Sequence, residues 1–139
     1  MASLNYTSFF DDLSRGLVTP STDTYKVMLV TSTYVPNKGT HLKRSDVTNE
    51  VVGTGYTAGG SAVTCTVAKN TGTQVVTYTF SSASWATATI TARAAVIYKS
   101  RGGAATADEL VCYIDFITDV TSTAGTFQFA PSSPLTIQN

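Results

Sequence analysis

Thr87-Ala88-Thr89-Ile90-Thr91-Ala92-Arg93-Ala94-Ala95-Val96-Ile97-Tyr98-Lys99 is the stretch whose reading decides the fold. Ala88, Ile90 and Ala92 alternate with threonines, and Val96 and Tyr98 follow after a break expected near Arg93. Successive side chains of a strand point to opposite faces, so an apolar residue at every second position builds one buried face. Trp85 stands just ahead of this run.

The pattern recurs on either side. Tyr25, Val27 and Leu29 share one face of a strand, with Lys26, Met28 and Val30 on the other, and two apolar faces predict an interior position. Val63, Cys65 and Val67 alternate with Thr64 and Thr66; Asn70-Thr71-Gly72 then turns the chain, and Val76, Tyr78 and Phe80 line a partner strand. Leu110, Cys112, Ile114 and Phe116 form another apolar face against Val111, Tyr113 and Asp115. Gly125 opens a last hairpin, in which Phe127 and Phe129 lead through Pro131 and Pro134 to Leu135 and Ile137. Roughly eight strands joined by turn-rich segments predict a mainly β fold, an antiparallel β-sandwich of jelly-roll-like type.

One segment has the other period. Tyr6, Phe9, Phe10, Leu13 and Leu17 recur at helical spacing and predict a short amphipathic helix over about residues 5–16. Asn5 is the expected N-cap, Leu4 staples against Phe9, and Gly16 and Pro20 end the pattern. The whole chain, residues 1–139, is read as one domain.

Composition narrows the function classes. Only 13% of residues are charged while threonine occurs 25 times, a balance that favours pleated surfaces over helices. Nine basic residues offset nine acidic ones, so the phosphate neutralisation of a nucleic-acid binder and a polybasic membrane patch are both argued against. The segment from Met1 to Asn5 lacks the pattern of a secretory signal, and no apolar run is long enough to span a bilayer. Cys65 and Cys112 are expected as buried free thiols.

No motif carries catalytic chemistry, a cofactor or a metal. His41 is the only histidine and sits in a charged loop without a nucleophile motif nearby. Gly53-Thr54-Gly55-Tyr56-Thr57-Ala58-Gly59-Gly60 imitates a phosphate loop, but its spacing is GxGxxxG and a strand follows, so its glycines are expected to serve a turn or bulge. Asp11 and Asp12 are placed on the outer side of the helix, Asp108 and Glu109 at a loop-to-strand edge, and Asp115 facing solvent, all as surface charge. Asp115 with Asp119 offers at most a weak calcium site. Residues 32–50, with Lys38, His41, Lys43, Arg44, Asp46 and Glu50, read as a long solvated loop of the kind that binds something. The loop Arg101-Gly102-Gly103-Ala104-Ala105 reads as small and mobile.

Several stretches, in this order, resemble the small structural proteins of tailed bacteriophages. They are Phe9-Phe10-Asp11-Asp12-Leu13, Ser21-Thr22-Asp23-Thr24-Tyr25-Lys26-Val27-Met28-Leu29, the Gly53 to Gly60 segment, Ala88 to Tyr98, and Asp119 to Phe129. The resemblance covers most of the chain, and its best understood members are capsid decoration, or cement, proteins. It implies a non-enzymatic β-sandwich or jelly roll on the outside of the assembled head, bridging major capsid subunits and passing through the host cytoplasm during assembly. The implied partner is the major capsid protein, with the chain as a homodimer on the capsid or, alternatively, a homotrimer. The candidate contact elements are the N-terminal helix, the 32–50 loop and the 101–105 loop, through Tyr6, Phe9, Phe10, Lys38, His41, Lys43, Arg44 and Arg101. A tail or head-fibre attachment module and a carbohydrate-binding jelly roll are the other readings.

Overall fold

The alternating stretches form antiparallel strands, shown here by a computed structural model that describes residues 2–131 and the backbone of 135–138. In chain order the strands are β1 (Leu4–Asn5), β2 (Tyr25–Val30), β3 (Ser61–Val63), β4 (Cys65–Asn70), β5 (Val75–Phe80), β6 (Ala83–Lys99), β7 (Leu110–Phe129) and β8 (Leu135–Gln138). One helix, α1 (Thr7–Ser14), lies between β1 and β2. A five-stranded sheet runs β1-β7-β6-β2-β3 and a three-stranded sheet runs β4-β5-β8. The protein is mainly β, with antiparallel sheets and, among the described residues, a single α-helix.

The two faces of β2 and β6 enter two different cores. Val27, Leu29, Ala95 and Ile97 join Phe9 of the helix and Tyr78 and Phe80 of the small sheet. Met28, Val30, Ala94, Val96 and Tyr98 face the other way and pack with Tyr6, Tyr34 and Tyr113. This is why β2 is apolar on both faces: β3 and β6 flank it, and both of its surfaces are covered. Each fully buried Val, Leu or Ile there stabilises the fold by roughly 1.5–3 kcal/mol.

The second core is closed by residues 32–50, which form the expected, mostly exposed loop but are pinned down at a few points. Tyr34 and Pro36 are buried, and the one-turn 3-10 helix Arg44–Asp46 lies against the start of β7 through the Lys43–Glu109 bridge. The segment is a strap over the large sheet. Two buried anchors, Tyr34 and Pro36, the partly buried Val47 and a set of ion pairs give it a reason to stay down that its loop-like composition does not advertise.

Other expectations also shift. The helix starts later than residue 5 because Leu4 and Asn5 pair with Tyr113 and Cys112, so Tyr6, not Asn5, is the N-cap. Leu4 packs on the second cluster and Phe9 on the first, so no staple joins them. The stretch from Val63 to Val67 is not one strand; the chain changes sheets between β3 and β4 at Thr64. Gly125 lies inside β7 opposite Ala88 and opens no hairpin, so two expected strands are one. Pro134 lies outside the described residues. The β4–β5 hairpin forms as expected, its turn tied by the Asn70 side-chain oxygen to the N–H groups of Gly72 and Thr73.

The glycine segment earns its composition by close approach. A Cβ on Gly60, whose φ is +80°, would fall 1.8 Å from the Val27 carbonyl oxygen, and one on Gly55 would fall 2.7 Å from the Ala88 Cα. Tyr56 and Glu50 fasten it: the Tyr56 hydroxyl donates to Glu50 at 2.7 Å and accepts the Leu29 N–H at 2.9 Å.

Candidate functional site

Acidic residues expected at the surface turn out to be the most buried charges. Asp108 and Glu109, 1% and 2% exposed, lie where the chain leaves the 3-10 turn Ala105–Ala107 and enters β7. A charge is taken out of water at low cost only when paired and hydrogen-bonded. Arg44 of the strap meets Asp108 at 2.7 Å and stands 5.1 Å above the Tyr98 ring. The backbone N–H of Arg101 donates to the other Asp108 oxygen at 2.8 Å, and its guanidinium reaches Glu109 at 2.6 Å. Lys43 lies 3.5 Å from Glu109. Burial alone would raise the Glu109 pKa, but the Arg101 hydrogen bonds and the Lys43 charge outweigh it and hold the carboxyl below its ordinary value. Asp12, on the inner side of α1 rather than the outer, has its pKa raised by burial.

This cluster is a clamp. Each member of the Asp108–Glu109 pair is already bound by a cation, so neither is placed to exchange a proton with a substrate. The clamp ties the strap, the 101–105 loop and the start of β7 together, and it anchors that loop at its base. Lys99 extends it, pairing with Asp23 at 3.0 Å and donating to the Leu17 carbonyl at 2.6 Å.

His41 belongs to the same strap. Its Nδ1 accepts the Asn37 N–H at 3.3 Å, so that nitrogen carries the lone pair and the Tyr34 hydroxyl donates to it at 2.9 Å. The Tyr6 hydroxyl in turn donates to Tyr34 at 2.8 Å, beneath the second core.

The contact residues expected from sequence therefore separate. Tyr6 and Phe9 are buried, because each fills a core, so neither offers the exposed side chain that the expectation of a contact requires. Phe10, Lys38 and Arg101 are exposed, and His41, Lys43 and Arg44 are half-buried. Of these, Lys43, Arg44 and Arg101 converge on the acidic pair. Asp115 is not solvent-facing: Arg93 lies 3.3 Å from it and 3.6 Å from Asp119, which puts a guanidinium where the weak calcium site was expected. Among the described residues no group of three or more His, Cys, Asp or Glu side chains is placed to hold a metal ion, and no helix is long and apolar enough to cross a membrane. Cys65 and Cys112 are free thiols, their pKa values pushed up by burial to about 11 and about 12.

The opposite half of the molecule carries almost no charge. Residues 51–92 contain one charged side chain, Lys69, and residues 120–139 contain none. They supply β3, β4, β5, the first half of β6 and the second half of β7. Where the strap ends, the large sheet shows bare threonines. Thr91 and Thr121 share a hydrogen bond of 2.9 Å, and Thr89 accepts the Ala124 N–H at 3.0 Å. An open groove of about 330 Å³ runs here, lined by Thr31, Val51, Val52, Thr89, Ile90, Thr91 and residues 121–123. Val52 on its rim is 94% exposed. The signal for this face was a gap in the charge pattern, visible in the sequence but hidden by whole-chain averages. No family model matches the chain, and neither a search of curated proteins nor one of solved structures finds a match.

Proposed function

We propose that this chain is a virion structural protein, a cement protein that binds the outside of a phage capsid and bridges major capsid subunits. The observation that carries the reading is the uncharged, hydroxyl-lined half of the molecule, held by a core that is clamped at its charged end. A surface of threonines can lie against another protein without desolvating unpaired charge, the costliest part of forming an interface. Hydroxyls on a paired sheet are also held in place, so little side-chain freedom is lost on docking.

Size agrees with bridging. The chain exposes 7231 Å². Two standard patches of about 800 Å² each would occupy roughly a quarter of that surface. Because such a protein binds the assembled shell and not its free subunits, each bound copy favours the shell by mass action. A homodimer across a two-fold axis is the arrangement proposed on the capsid.

The test is co-sedimentation of the purified protein with empty, expanded heads that lack it. Saturable binding at a fixed copy number, with a rise in the melting temperature of the heads, is the expected result. Absence of binding would overturn the cement role, and binding to tails or to a glycan array instead would give the protein to one of the other two readings.

A further inference from the structure

Five non-glycine residues adopt left-handed backbone among those described: Asn49, Gln74, Thr87, Ile117 and Ala124. Asparagine tolerates that region, and a β-branched residue does not. Thr87 is β-branched and exposed as well, but its side chain is short and polar and its backbone is pressed against the glycine segment, where a Cβ on Gly55 would lie 2.8 Å from the Thr87 carbonyl. Ala124 has only a methyl group to place and is held by its bond to Thr89. Ile117 is different. Its φ is +73°, its side chain is β-branched, and it is 77% exposed, so no interior packing offsets the strain.

The surrounding structure nevertheless enforces this conformation. Between the pairs Ala92↔Val120 and Ala94↔Asp115, the four residues Phe116, Ile117, Thr118 and Asp119 stand opposite the single Arg93. Arg93 spans the bulge, reaching Asp115 at 3.3 Å and Asp119 at 3.6 Å. The Ile117 N–H donates to the Asp115 carboxylate at 3.0 Å. Phe116 turns inward, its ring 6.3 Å from Phe127 and 6.4 Å from Phe129. The product of these constraints is one large apolar side chain held out in water. Strained residues of this kind cluster at functional positions.

We propose that this bulge is a docking anchor, with Ile117 inserting into an apolar pocket on the protein surface that the chain binds. This rests on the reading above, in which that surface is the assembled capsid. The flanking Thr118, Val120 and Thr121 are uncharged and Asp119 is paired with Arg93, so the fitting pocket is one side chain deep with a rim of low charge. An anchor fixed before binding loses little freedom on insertion, and such central apolar anchors dominate interface energetics.

The experiment compares the wild type with Ile117→Gly and Ile117→Asn, two residues that accept left-handed backbone. Free protein is melted, and binding to empty expanded heads is measured by co-sedimentation. Both variants are expected to melt higher, by about 2–4 °C, while affinity for heads falls by roughly 10-fold or more. Variants that bind as the wild type does overturn the anchor and leave the cement role standing. Wild type that fails to bind heads overturns the cement role and, with it, the capsid as the surface that receives Ile117; a melting gain in the variants reports only that the backbone at 117 is strained, and no gain overturns that premise. A dimer of the purified protein that both variants dissolve overturns the capsid as occupant in favour of a second copy.

Discussion

The charged and uncharged halves of this molecule solve the same problem, covering a sheet, by opposite means. At the charged end the large sheet is covered by a strap whose ion pairs are internal, so nearly every charge faces a partner within the chain. At the uncharged end the same sheet is left bare and its hydroxyls bond to one another. On the function proposed, the difference separates stability from recognition: the first end holds the fold, and the second offers its surface to the capsid.

Breaking the clamp should have the largest effect. Arg44→Met leaves Asp108 buried without its guanidinium and is expected to cost about 3–5 kcal/mol, read as a lower urea midpoint at unchanged slope. If the cost is under about 1 kcal/mol, the pair is only a surface ion pair and the contrast between the halves fails. Gly60→Ala drives a methyl group into the Val27 carbonyl at left-handed φ and is expected to cost at least about 2 kcal/mol. Gly102→Ala, with nothing within 4 Å, carries the backbone penalty without the clash and should cost less.

Acid should weaken the charged end first. The folded pKa of Glu109 lies below its ordinary value of 4.5, so its contribution is complete above that value and is lost as pH falls through the folded pKa. Asp46, held low by the N–H groups of Lys43 and Leu42, acts in the same direction. Asp12 has the opposite sign, because its raised pKa means protonation relieves a burial cost. Urea midpoints measured from pH 6 down to pH 3 should fall, and fall less steeply in Glu109→Gln. The smallest stability effect is expected for Thr91→Lys, within about 0.5 kcal/mol because the position is exposed. Its value lies in the other readout: a charge set in the hydroxyl face should cut head binding by roughly 10-fold, and unchanged binding would show that this face is not the contact.

Much of the scaffold was legible because strand periodicity is local. The faces of β2, the β4–β5 hairpin and the alternation on β6 follow from residues two apart. Gly125 misled because glycine in a strand can mark either a turn or a bulge, and here the chain continues. Asp108 and Glu109 misled for another reason. A carboxylate is placed at the surface unless its partners are known, and Arg44 lies 64 positions away from Asp108 in the chain.

By itself the sequence determined the mainly β class, the single helix, the hairpin at Asn70 and the near absence of charge over half of the chain, because each depends on neighbours in sequence. Only the tertiary structure decided that the loop of residues 32–50 is pinned as a strap over the large sheet, that the acidic pair is buried, and that Ile117 stands out on a strained bulge. Those outcomes depend on which distant groups meet, and the cost of burying a charge or twisting a backbone is offset only by partners that folding brings together.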